Sequence, residues 1–191
     1  MKMDMILAGV GGQGVLSIAA VIASAAVKAG LAARQSEVHG MAQRGGAVLS
    51  HLRISAGAIH SDLVPKGRAA LVISMEPLEG LRYTDWLSPE GALVSASAPV
   101  LNIRDYPPLD DVYGAVRSLP RFRLVDAGAL AKEAGLARAV NMVIVGAASP
   151  FLPVKPEVLE DAIAELFAER EPALNIEAFR AGRKRSEDFA A

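Results

Sequence analysis

The chain has 191 residues, 52% hydrophobic and 21% charged, with a formal net charge of −1. That is enough apolar material for one large core, and it provides no overall field to draw nucleic acid or an anionic membrane. No residue is cysteine, which excludes a disulfide scaffold, thiolate zinc sites, a cysteine nucleophile and Cys-ligated iron–sulfur clusters.

Residues 4–10 form an apolar run that stops at a glycine cluster, as expected of a buried parallel strand. Residues 13–28 follow as an almost wholly apolar helix, with Gly30 where it should stop. Gly9, Gly11, Gly12, Gln13 and Gly14 interrupt the apolar N-terminal stretch. The segment is therefore neither a signal sequence nor a bilayer span, and a cytoplasmic protein is expected. Residues 31–38 read as a second strand, completing a βαβ unit with a right-handed crossover.

Residues 39–46 are glycine-rich and aperiodic, and 47–54 alternate like a strand with one wetter face. Further strands are expected at 69–75, 91–97 and 122–126, with a short helix over 76–87. Tyr106-Pro107-Pro108 breaks the chain between the last two strands. The final third is helical: part of 132–138, interrupted at Gly135, then 141–148, which is ambiguous with a buried strand. A helix follows from Pro156, and Asn175 reads as the N-cap of a last helix ending in Arg183-Lys184-Arg185, a solvated tail. The pattern predicts a single domain. It is a three-layer α/β/α sandwich with a mostly parallel, mixed sheet, a Rossmann-like N-terminal βαβ and a C-terminal helical arm over about 155–191.

Gly9, Gly11 and Gly14 satisfy G-x-G-x-x-G between a strand and a helix. Such a turn offers backbone N–H groups and the positive end of a helix to an anion. A dinucleotide site is one reading, with Glu37 placed to take a ribose hydroxyl. The missing second crossover helix and the bulk of Gln13 count against it. A phosphate or partner-backbone site, and simple close packing, are the others. Ser36 to Gly46 gathers Glu37, His39, Gln43, Arg44, Gly45 and Gly46 in one segment. In a parallel sheet this loop lies beside the glycine turn, where Arg44 can hold an anion bidentately and His39 can relay a proton. The other reading is a subunit interface in which Glu37 neutralises Arg44. No triad, P-loop or zinc-protease motif is present, and His51 and His60 read as ordinary imidazoles. No catalytic residue and no metal ligand is assigned to this chain. Asp110/Asp111 and Glu160/Asp161 read as solvated helix starts and faces.

GVGGQGVL and SEVHGMAQRGGAV, with matches at Ser61–Pro65, Ser74–Glu79 and Asn141–Pro153, resemble the gamma-type domain of 2-oxoacid:ferredoxin oxidoreductases. The likeness runs to about Phe167 and is nearest the indolepyruvate (arylpyruvate) branch, the pyruvate and ketoisovalerate branches being alternatives. The resemblance implies an accessory subunit. A large alpha subunit would carry thiamine diphosphate, Mg2+ and [4Fe–4S] clusters, with coenzyme A as acyl acceptor and ferredoxin as electron acceptor. The glycine turn and the residue 39–46 loop would then contact coenzyme A or the partner chain. The isolated chain would bind no cofactor of its own, lack activity and possess apolar surfaces able to form a homodimer. A free-standing Rossmann-type dehydrogenase is the reading from a different class.

Overall fold

The computed structural model describes residues 1–39, 45–101 and 103–188, His39 through its backbone. In chain order the elements are β1 (Lys2–Val10), α1 (Val15–Lys28), β2 (Ala32–His39), β3 (Ala47–Ser55), β4 (Ala69–Ser74), α2 (Pro77–Leu81) and β5 (Leu87–Ala96). Then follow α3 (Leu109–Arg117), β6 (Phe122–Val125), α4 (Ala127–Glu133), α5 (Val140–Ala148), α6 (Pro156–Leu166) and α7 (Pro172–Asp188). Short 3-10 turns occupy Thr84–Trp86 and Ser149–Phe151.

Among the described residues the strands form one six-stranded sheet in the order β2-β3-β1-β4-β5-β6. β1, β4, β5 and β6 are parallel, while β3 runs antiparallel to both β1 and β2. β1 and β2 therefore point the same way, as a βαβ unit requires, but β3 lies between them. Period-two alternation divides the strands between two cores. Met5, Leu7, Leu71, Ile73 and Val94 face the larger core with α1, α5, α6 and α7. Ile6, Val72 and Leu93 face the smaller one with Val116 of α3 and Leu81 of α2. The result is a three-layer α/β/α sandwich with a mixed sheet.

β3 departs from the expected half-wet strand: Ser50 and Arg53 are buried along with Leu52 and Ile54. Ser50 shares the larger-core face with Val48, Leu52 and Ile54, whereas Arg53 is covered by the chain just beyond the strand. Arg53 grips Asp4 bidentately, Nε to Oδ1 at 2.8 Å and Nη2 to Oδ2 at 3.0 Å. Its Nη1 donates to the Ser61 and Leu63 carbonyls at 2.9 and 2.8 Å. His51 Nδ1 accepts the Val64 N–H at 3.1 Å. These bonds lay residues 61–64 across the Arg53 face. The two buried charges are tolerable because their donors and acceptors are matched.

The helix expected over 76–87 divides into α2 and a 3-10 turn, and α4 ends before Gly135, which has φ 86°. The stretch ambiguous between strand and helix is α5, buried almost throughout. α7 crosses α5 at two glycines. A Cβ on Gly146 would lie 1.9 Å from the Phe179 carbonyl oxygen, and one on Gly182 would lie 1.9 Å from that of Val143. Fully buried Phe179 fills the core beside this crossing.

Asn175 is not the N-cap of α7, which starts at Pro172. It is buried one turn in, and its Nδ2 donates to the carbonyls of Arg170 and Glu171 at 2.9 and 3.0 Å. Those bonds hold Glu171 in a left-handed conformation, φ 54°. The run at 183–185 belongs to α7: Lys184 and Arg185 are exposed, but Arg183 Nη1 donates to Ser149 Oγ at 3.0 Å. Asp110 and Asp111 lie in the exposed first turn of α3, whereas Glu160 on α6 pairs with Arg180 at 2.7 Å. Among the described residues no helix is long and apolar enough to cross a membrane.

Candidate functional site

The carboxyl edge of the sheet brings together the glycine turn, the end of β2, the start of β3 and the starts of several helices. Gly12 and Gly14 have φ 99° and 79°, conformations that strain an L side chain. Gly9 is required for a different reason: a Cβ there would meet Val15 Cγ2 at 2.8 Å and Met75 Cβ at 3.1 Å. Gln13 stitches the turn together, its Oε1 accepting the Val10 N–H at 2.7 Å and its Nε2 donating to the Met75 carbonyl at 3.1 Å. The amide thus locks the end of β1 to the end of β4.

The helix starts on this edge differ. Glu76 caps α2 by accepting the Glu79 N–H at 2.7 Å, and Asp126 caps α4 by accepting the Ala129 N–H at 3.0 Å. α1 has no side-chain cap and no acid in its first turn. Its partial positive end is left to the glycine turn. The direction a Gly12 side chain would take is open, with nothing within 4 Å. Asn141, at the start of α5, stands beside Gly14, its Nδ2 3.0 Å from where a Cβ would lie.

The second glycine segment meets the first by backbone contact. Gly11 N–H donates to the Gly46 carbonyl at 2.8 Å, and Gly45 N–H to the Gly11 carbonyl at 3.5 Å. In register, Val10 lies opposite Ala47 and Val48 opposite His39. The residue 39–46 segment and the glycine turn are therefore neighbours, as expected, but through the inserted β3. Glu37 is exposed near the end of β2, and its Oε2 accepts from Gln35 Nε2 at 3.4 Å. Gln43 and Arg44, with Gly40, Met41 and Ala42, lie outside the described residues, as does the His39 side chain.

Two residues of this edge escaped sequence reasoning. Glu76 is 1% exposed, and its Oε1 accepts both the Tyr106 hydroxyl and the Val100 N–H. Burial, then the bond to the Glu76 carboxylate, holds the Tyr106 phenol well above its usual range. These bonds tie Val100 and Tyr106 to the residue that caps α2, and Leu101 and Ile103 beside them are exposed. A Glu before Pro77 signals a helix start, but no local pattern announces a tyrosine partner 30 residues on. Asn141 carried only its place in a matching run.

Chemically, the edge offers backbone donors and a helix terminus to an anion. Among the described residues no three His, Asp or Glu side chains cluster as a metal site. His51 and His60 lie elsewhere, the first buried on β3 and the second exposed.

Fold and edge together define a Rossmann-like α/β domain with a doubled glycine-rich rim. The chain belongs to the pyruvate ferredoxin/flavodoxin oxidoreductase family, whose model matches residues 4–185. It is 36% identical to an indolepyruvate oxidoreductase subunit IorB of Archaeoglobus fulgidus, over 95% of this chain and 94% of that one. It resembles the solved gamma subunit of a keto/oxoacid ferredoxin oxidoreductase from Geobacter sulfurreducens, with a TM-score of 0.74, 25% identity and 99% of each chain covered. A 2-oxoglutarate:ferredoxin oxidoreductase from Magnetococcus marinus has the same fold over 98% of this chain and 31% of its own (TM-score 0.76, 22% identity).

Proposed function

We propose that this chain is the accessory subunit of an indolepyruvate-type 2-oxoacid:ferredoxin oxidoreductase and that its glycine rim completes an anion-binding surface against the larger subunit. Coenzyme A, with its several phosphates, is the anion of choice. The observation that carries the reading is the Gly11–Gly46 hydrogen bond at 2.8 Å, which joins both glycine segments beside the uncapped start of α1. The space off Gly12 is open. The Gly11 and Gln13 N–H groups are spent on the Gly46 and Val10 carbonyls, so a phosphate would be met by the remaining backbone donors at the start of α1, which need no charge. Arg44 is the side-chain contact expected from the sequence. The identity with IorB relatives supports indolepyruvate over other 2-oxoacids.

Thiamine diphosphate with Mg2+ supplies decarboxylation in such a complex, and [4Fe–4S] clusters carry electrons to ferredoxin. This sequence has no cysteine with which to hold a cluster, so we assign these groups to the larger partner. The free-standing dehydrogenase is less well supported, because β3 follows β2 where a second crossover helix would stand.

The test is steady-state kinetics of the reconstituted complex carrying Gly12→Val or Arg44→Ala. The expected result is intact assembly by gel filtration with the KM for coenzyme A raised about tenfold. Lost assembly with an unchanged KM for coenzyme A would favour a pure subunit interface.

A further inference from the structure

The opposite, amino edge of the sheet carries a groove that the glycine rim does not touch. Two cavities, of about 510 and 330 Å³, share Arg121 and Phe151 in their walls. The first also runs past Lys2, Ser88, Glu90, Pro150 and Pro153, the second past Pro120 and Arg123.

Arg121 and Arg123 are two residues apart on the way into β6, so their side chains share a face. Their guanidinium carbons lie 5.7 and 5.5 Å from the centre of the Phe151 ring. That ring is held firmly. It ends the Ser149–Phe151 turn, where Ser149 Oγ donates to the Gly146 carbonyl at 2.7 Å and accepts from Arg183 at 3.0 Å. Pro150 and Pro153 stiffen the same wall. Arg121 is oriented by a 2.7 Å bond from Nη1 to the Glu90 carbonyl, yet among the described residues no carboxylate pairs with it. Burial, then the charge of Arg121, keeps the Arg123 guanidinium below its ordinary value. Two cations thus lean on one fixed ring in an open groove.

A planar guanidinium with free donors suits a carboxylate, and the Phe-Pro wall beside it suits an apolar side chain. A compact anion would meet only one of the two cavities that Arg121 and Phe151 both wall, whereas an extended chain reaches both. We infer that this groove binds an acidic, extended segment of a partner polypeptide, with an Asp or Glu carboxylate on Arg121 and an apolar side chain against Phe151. The face is remote from the rim proposed for coenzyme A, and the two readings stand or fall separately.

The experiment is fluorescence anisotropy of a labelled peptide that alternates Glu with Leu and Phe, titrated with the full chain at low salt. Saturable binding is expected, weakened at least about tenfold by Arg121→Ala and partly retained by Arg121→Lys. Added salt should weaken it further. Exposed Arg121 can be replaced without disturbing the core, and the variant should keep the wild-type coenzyme A requirement in the complex. The inference is overturned if no saturable binding occurs or if Arg121→Ala binds as well as wild type. It is equally overturned if succinate, pyrophosphate or an RNA oligomer competes at the affinity of the peptide.

Discussion

His51 is a residue whose chemistry requires it to stay neutral. Its Nδ1 accepts the Val64 N–H, which it can do only when unprotonated. Burial, then the nearby Arg53 charge, lowers its pKa below the ordinary 6.5. A depressed value means that the unfolded chain takes up a proton first. The stability linked to His51 is therefore whole above pH 6.5 and is lost as pH falls from there through the folded value. Thermal melts from pH 8 to pH 5 should show that decline, and His51→Asn, which retains an acceptor, should flatten it. Residues of this kind were poorly legible in the sequence. The glycines of the turn declared themselves because backbone conformation is local. The partners of His51, Arg53 and Glu76 lie 13, 49 and 30 residues away, and no short-range pattern encodes them.

Among the elements, the α5–α7 crossing is the most exacting contact. The carbonyl oxygens opposite Gly146 and Gly182 leave no room for a methyl group, and backbone cannot swing aside as a flexible side chain can. Gly146→Ala or Gly182→Ala should force the helices apart and cost roughly 3 kcal/mol or more, read by denaturant unfolding. Gly114→Ala, on exposed α3 with nothing within 4 Å, should be neutral or slightly stabilising. The sequence leaves α5 ambiguous with a buried strand, its flanking alanines favouring a helix, and it offers α7 through Asn175 read as a cap. Their intimacy was not legible, because a glycine inside an apolar helix reads only as a weak point until its neighbour is known. The same limit explains Asn175: a cap residue was visible, but the helix it serves begins a turn earlier and the bonds point backwards.

For the whole molecule, the proposed assignment of the redox centres to a larger partner leads to a direct expectation. The purified chain alone should not reduce a viologen dye with indolepyruvate and coenzyme A, and adding the larger subunit should restore the activity. Reduction by the isolated chain would overturn the assignment of redox centres to the partner. The sheet order carries one more consequence, for how the protein comes to be folded. β1 and β2 share no hydrogen bonds; each is paired through β3, and β1 also pairs with β4. A nascent chain that has emerged only as far as β2 therefore holds two strands with no ladder between them. β3, slotting in last between earlier neighbours, zips both at once. That makes the 47–55 segment the step on which the rate of forming this half of the sheet should depend.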